Sequence, residues 1–145
     1  TLEALAHHYV CEGVRLVPVM DAQKGNVYVQ EFTWRADGDA LTLHEESSLA
    51  ILPLAEVIAG LSKTEQPVLL LGDAMQRKVD VELPVNVRLA PIHARMPRAA
   101  CVGLAALTRL ARGETDDPVT AVPLYLRRSE AEVLWEKRHG TEGAQ

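Results

Sequence analysis

The sequence predicts a mixed α/β fold, and three observations predict it. Residues 14–43 hold short apolar segments of strand period, broken by polar turns. Gln66-Pro67-Val68-Leu69-Leu70-Leu71 is a continuous apolar run closing on Gly72-Asp73, as a buried parallel strand does. Helical spacing appears three times, near residues 1–13, 53–61 and 98–112.

The elements follow in order. Leu2, Leu5, Ala6, Tyr9 and Val10 form an amphipathic stripe, with Thr1 placed to cap it and Gly13 to stop it in the left-handed conformation. Val14–Met20 is apolar on both alternating faces apart from Arg15, which predicts a strand covered on both sides, while Pro18 favours an edge or a bulge. Asn26–Trp34 reads as one strand, with Tyr28, Phe32 and Trp34 on one face and Val27 and Val29 on the other. Asp37-Gly38 turns the chain into a third strand, Ala40–Leu43, and the product is a three-stranded antiparallel meander.

Pro53–Leu61 reads as a short helix with proline in its first turn, ahead of the buried strand. Val79–Leu89 alternates weakly around Pro84 and predicts one or two short strands. The clearer helix, Arg98–Arg112, has Ala100, Leu104, Leu107 and Ala111 as its expected core stripe, with Gly113 after its end. Val122–Arg128 reads as extended. Ser129-Glu130-Ala131-Glu132 has the spacing of a capping box for a last short helix, and the tail from His139 is expected to be mobile.

Composition narrows the function classes. The 145 residues are 48% apolar and 24% charged, with a formal charge of −5, which suits an ordinary folded domain and not a disordered chain. No apolar run approaches the ~20 residues that cross a bilayer. Acidity without a Lys/Arg cluster argues against a general nucleic-acid binder. Two cysteines, Cys11 and Cys101, are too few for a disulfide framework and read as small core residues of a reduced, cytoplasmic protein. The chain opens at Thr1, already a helix cap, which suggests that the segment begins inside something larger.

Residues that could carry chemistry are sparse. The five histidines are scattered: His7 and His8 diverge by ~100° on a helix, and no His-plus-carboxylate ligand set is present. Nucleophile elbows and phosphate-loop signatures are missing. Gly72-Asp73, after the buried strand, is either a strand-to-helix turn or a close approach to a ligand such as a nucleotide. The turn Asp21-Ala22-Gln23-Lys24-Gly25-Asn26 is either an ordinary polar hairpin or a more purposeful loop, since Asp21 with Lys24 exceeds what a hairpin needs. Pro123–Glu130 is either a strand end with solvated arginines or a contact for an acidic partner.

Four stretches occur in an order that resembles the TsaB (YeaZ) family. They are Thr1-Leu2-Glu3-Ala4-Leu5-Ala6, Val19–Tyr28, Leu71-Gly72-Asp73 and Pro123–Glu132. Their most specific pieces are Asp21-Ala22-x-x-Gly25-x-Val27-Tyr28 and Pro123-x-Tyr125-Leu126-Arg127. The resemblance covers residues 1 to about 138 and departs at the front: the family's Ile-Asp-Thr strand–turn and Gly-Pro-Gly-Ser-Phe-Thr-Gly stretch are not in this sequence.

The resemblance implies the C-terminal portion of a ribonuclease-H-like, actin-like chain that lacks most of its first lobe. Residues 1–13 would be an inter-lobe helix and 14–128 the C-terminal lobe, with the helix near 98–112 packing toward the missing lobe. Residues 129–145 would form a short helix and tail. It further implies a non-catalytic subunit that binds and activates TsaD, with the ATPase TsaE, in making N6-threonylcarbamoyladenosine in tRNA. On this reading tRNA is met only indirectly and the full-length protein pairs as a homodimer or heterodimer. Nucleotide and metal belong to the partner complex, so no cofactor and no catalytic residue is expected here. Asp21, Gly25, Tyr28, Gly72, Asp73, Tyr125 and Arg127 are the binding or interface candidates. The alternatives are a glycoprotease-like hydrolase, for which the sequence supplies no base, nucleophile or metal set, and a stand-alone nucleotide-binding α/β module.

Overall fold

The computed structural model describes residues 1–75, 82–124, 126, 135, 138 and 139. Its elements are α1 (Leu2–Ala6), β1 (Arg15–Asp21), β2 (Asn26–Val29), β3 (Phe32–Asp37), β4 (Ala40–Glu45), β5 (Ala50–Pro53), α2 (Leu54–Leu61), β6 (Val68–Leu71), β7 (Val87–Leu89), a single 3-10 turn (Ile92–Ala94) and α3 (Ala99–Ala111). By internal contacts the chain divides into two units, Thr1–Thr115 and Asp116–Gln145. In the second, the Asp117 carboxylate and carbonyl hold the turn through Val119–Ala121, and the rings of Trp135 and His139 stack.

β1 is the spine of the sheet. Along one edge it pairs antiparallel with β3 (Leu16 opposite Phe32) and then with β2 (Val19 opposite Val29) in a single register. β2 and β3 are therefore one strand run, interrupted at Gln30-Glu31. β4 and β5 pair with β3 and β2 respectively and make a third run. On its other edge β1 pairs parallel with β6, and β6 pairs parallel with β7. Taken as five runs in chain order, the sheet reads third, second, first, fourth, fifth, and only the second run opposes the rest.

The two sides of the sheet carry separate cores, as strand alternation requires. Val17, Val19, Val27, Val29, Val68 and Leu70 face α2, which meets them with Leu54, Val57, Ile58 and Leu61 at helical spacing. Leu16, Phe32, Trp34 and Leu71 face α1, which contributes Leu2, Leu5 and Ala6. Fully burying one such side chain stabilises the fold by about 1.5–3 kcal/mol. Tyr28, Phe32 and Trp34 thus share the α1 side and Val27 and Val29 the other, as the sequence predicts.

Several expectations are corrected. Pro18 lies in the sheet interior, flanked on both edges, and not at an edge. The register places it opposite Gln30, in the gap between β2 and β3, so its missing amide falls where the antiparallel ladder is broken. The strand expected over Asn26–Trp34 is accordingly two strands.

The helix expected over residues 1–13 ends at Ala6. His8 and Tyr9 donate to carbonyls only three residues back, tightening the turn, and the Trp34 indole N–H takes the Ala6 carbonyl. Thr1 occupies the cap position, but its side chain makes no capping bond. Gly13 is left-handed at φ +74°, well past the helix end.

α3 forms where expected, but its core stripe is wrong. Leu104, Leu107 and Leu110 are 53, 62 and 59% exposed, and Ala100 and Ala111 are exposed too. The buried side is Cys101 and Ala105, continued by Arg109, which pairs with Glu3 of α1 at 2.8 Å. Cys101 is a core residue as expected, whereas Cys11 is only partly buried. The strand β5 has no counterpart in the sequence reading. Of the strands expected in Val79–Leu89, Val87–Leu89 is present, and residues 79–81 lie outside the described residues. Of the extended segment Val122–Arg128, residues 122–124 and 126 are described and form no strand, and the other three lie outside the described residues, as do residues 129–134 of the helix expected after Ser129.

Candidate functional site

Of the seven candidate residues, Asp21 and Tyr28 lie on the neighbouring strands β1 and β2, whereas Gly25, Gly72 and Asp73 lie in the turns that follow β1 and β6. Asp21, Gly25, Gly72 and Asp73 gather at the carboxyl ends of the central parallel pair. β1 ends at Asp21 and β6 at Leu71, so Gly72 and Asp73 emerge beside Asp21. The Asp21 backbone N–H donates to Asp73 Oδ1 at 3.3 Å. Gly72 adopts φ +101° with its α-carbon against the Val19 main chain. The Ala74 N–H then reaches the Val19 carbonyl at 3.5 Å.

The turn after Asp21 is tightly specified. Gln23, Lys24 and Gly25 have φ of 64°, 53° and 83°, three successive left-handed residues of which only the glycine adopts that region freely. Asp21 Oδ1 accepts the Gln23 N–H at 2.8 Å, and the Ala22 and Asn26 amides close the turn onto the Asn26 and Gln23 carbonyls. The Gly25 carbonyl accepts the Leu54 N–H at 3.0 Å, satisfying one of the free amides at the start of α2. Asp21, Gly25, Gly72 and Asp73 thus join the ends of β1 and β6 to the start of α2. Tyr28 stands back from this junction, opposite Met20 in the β1–β2 ladder and packed on the α1 side. Tyr125 and Arg127 lie outside the described residues.

In chemical terms the junction offers two carboxylates at strand ends, where ligands of open α/β sheets bind. Each has one oxygen engaged by a backbone amide. Among the described residues no group of three or more His, Cys, Asp or Glu side chains is arranged to hold a metal ion.

A concave region elsewhere on the molecule involves none of the seven candidates. It is a cleft of about 270 Å³ between α1, β3–β4 and the end of α3. Its floor is Trp34, met edge-on by the His7 ring at 5.2 Å and 86°. Burial pushes the His7 imidazole below its ordinary pKa, and the nearby Glu3 carboxylate opposes the shift. Arg109 is raised above its ordinary value, first by the charge of Glu3, with Glu114 and Glu45 adding. The only sequence signal for this cleft was the apolar face holding Trp34, because its charged residues come from distant segments, the paired Glu3 and Arg109 lying 106 positions apart.

The fold is shared by two Pseudomonas aeruginosa structures, one described as YeaZ and one as an uncharacterized protein with similarity to peptidase YEAZ. Each superposes with a TM-score of 0.63 at 23% identity. The fold is YeaZ-like. The aligned region covers 87% and 86% of this chain and 56% of each YeaZ-like structure, so this chain spans little more than half of their length. No family profile and no curated protein sequence matches.

Among the described residues no helix is long and apolar enough to cross a membrane.

Proposed function

We propose that this chain is a TsaB-type subunit whose role is to bind and activate a TsaD-type catalytic subunit, with a TsaE-type ATPase, in tRNA threonylcarbamoyladenosine formation. The observation that carries the reading is the sheet. A meander of three runs is followed by two parallel ones in the order third, second, first, fourth, fifth, the ribonuclease-H-like order of an actin-like lobe. The YeaZ-like neighbours and the order of the Asp21–Tyr28 and Gly72-Asp73 motifs support it.

On this reading the strand-end junction is structural. It fixes the β1–β2 turn and the start of α2 on a rigid sheet, and nucleotide and metal chemistry stay with the partner. The protein acts in the cytoplasm, touches tRNA only through its complex and pairs with TsaD or with a second copy.

Gel filtration of this chain with TsaD and TsaE from the same organism tests the proposal, combined with an assay for threonylcarbamoyladenosine on unmodified tRNA. Co-elution and a raised modification rate are expected. No complex at micromolar concentration, with or without ATP, overturns it. The description of one neighbour as peptidase-like keeps a hydrolase as the second reading. Glycopeptide cleavage lost on Asp21→Ala would favour that reading.

A further inference from the structure

We propose that the outer edge of β4 is a docking site for an extended, basic segment of another polypeptide, which adds to the sheet as a strand beside the Trp34 cleft. Among the described residues the sheet has unpaired edges at β4, β5 and β7, and natural edges are blunted by brevity, proline, bulges or lysine. β7 has three residues and lies between Pro84 and Pro91, and β5 has four and ends in Pro53. β4 has none of these protections. Its six residues, Ala40-Leu41-Thr42-Leu43-His44-Glu45, contain no proline, glycine, lysine or arginine and keep one unbroken register with β3. Among the described residues, β4 pairs with β3 alone.

The hairpin fixes which groups are offered. Asp37 opposes Ala40 across the two-residue loop Gly38-Asp39. In that register Ala40, Thr42 and His44 turn their backbone groups to β3, while the N–H and C=O of Leu41, Leu43 and Glu45 point outward. The side chains of these same three residues line the cleft, so an added strand would lay alternate side chains along its mouth.

Charge decides the occupant. Glu3, Glu45 and Glu114 line the cleft against Arg109 and Arg112, and Arg109 is already paired to Glu3. Asp37 and Asp39 make the hairpin tip acidic as well. A second copy pairing antiparallel across this edge would bring Asp39 toward Glu45, acid against acid, which is unfavourable. A strand with apolar residues at its centre and lysine or arginine at its ends meets no such conflict.

The test uses the 145-residue chain and a fluorescein-labelled peptide, acetyl-Lys-Val-Thr-Val-Thr-Val-Lys-amide. Two control peptides carry Glu in place of Lys, or the same residues with alternate amides N-methylated. Anisotropy should show saturable binding of the basic peptide, at least ~10-fold weaker binding of the acidic one, and loss of binding on N-methylation. The Leu41 and Leu43 amides should gain protection from hydrogen exchange, and Glu45→Lys should narrow or reverse the charge preference. Equal binding of the N-methylated peptide overturns the proposal, because charge survives that change and strand pairing does not. Absence of saturation by about 1 mM overturns it too. Concentration-dependent dimerisation protecting Leu41 and Leu43 without peptide replaces the proposed occupant with a second copy.

Discussion

The α-carbon of Gly72 lies against the main chain of Val19, and a methyl group built on it would stand 2.0 Å from the Val19 carbonyl oxygen. Two costs coincide there. At φ +101° an L side chain is strained, and the obstructing atom is backbone of the central strand, which cannot swing aside. Gly72→Ala is therefore expected to destabilise the chain by about 3 kcal/mol or more. Gly38 is also left-handed, at φ +62°, but has nothing within 4 Å. Gly38→Ala should cost only about 1–2 kcal/mol. Urea denaturation of both variants checks the contrast. Equal losses would mean that the conformation, and not the close approach, sets the requirement for glycine.

Asp73 joins the same two strand ends through its side chain, accepting the Asp21 N–H. An amide oxygen accepts as a carboxylate oxygen does, so Asp73→Asn should leave the denaturation midpoint almost unchanged. Asp73→Ala should lose about 1 kcal/mol. The pair also separates architecture from chemistry. If Asp73→Asn keeps stability and still abolishes stimulation of a TsaD-type partner, the charge itself is functional and the structural assignment of the junction fails.

Strand character and facing were legible in the sequence because they are local properties. The two-sided apolar pattern of Val14–Met20, the split of Val27 and Val29 from Phe32 and Trp34, and the run Val68–Leu71 all follow from neighbours in the chain. Pairing is not local. Nothing in Asn26–Trp34 announces a break at Gln30-Glu31, which falls opposite Pro18 only once the register is set. Ala50-Ile51-Leu52-Pro53 is too short to read as a strand when it abuts a helix pattern, and β2 identifies it. The site behaved in the same way. Asp21 and Asp73 stood out separately, 52 positions apart, and the parallel pairing of β1 with β6 brings them together.

α3 shows where periodicity stops discriminating. From Ala99 to Thr108 the helix carries no charge, so nearly every face is apolar and a core stripe can be drawn on the wrong one. The structure turns Cys101 and Ala105 inward and leaves Leu107 62% exposed. Leu107→Glu should therefore shift the stability of the isolated chain by no more than about 0.5 kcal/mol. Ala105→Glu, which forces a carboxylate into a buried position whose neighbouring cation, Arg109, is already held by Glu3, should cost at least about 2 kcal/mol. Urea melts of the two variants decide it. The reverse order would restore the face that the sequence suggested.

Acid stability should fall in two stages. Burial holds His7 and His8 below the ordinary value of 6.5. Glu3 opposes the shift at His7, and the charge of Arg98 adds to it at His8. Between the folded and unfolded values the unfolded chain binds more protons, so this contribution is complete above about pH 6.5 and is lost as pH falls through the folded values. Glu46 is also lowered, first by the Thr33 hydroxyl it accepts and then by Arg35, with burial opposing. For a carboxylate the contribution is present above its unfolded value, 4.5, and is lost as pH falls through the lower folded one. The melting temperature should therefore be level near neutrality, decline below about pH 6.5 and decline again below about pH 4.5. Replacing both histidines by Asn should flatten the first decline and leave the second, whereas Thr33→Val should do the opposite. A melting temperature constant from pH 7 to 5 would show that both imidazoles accept a proton in the folded chain without penalty.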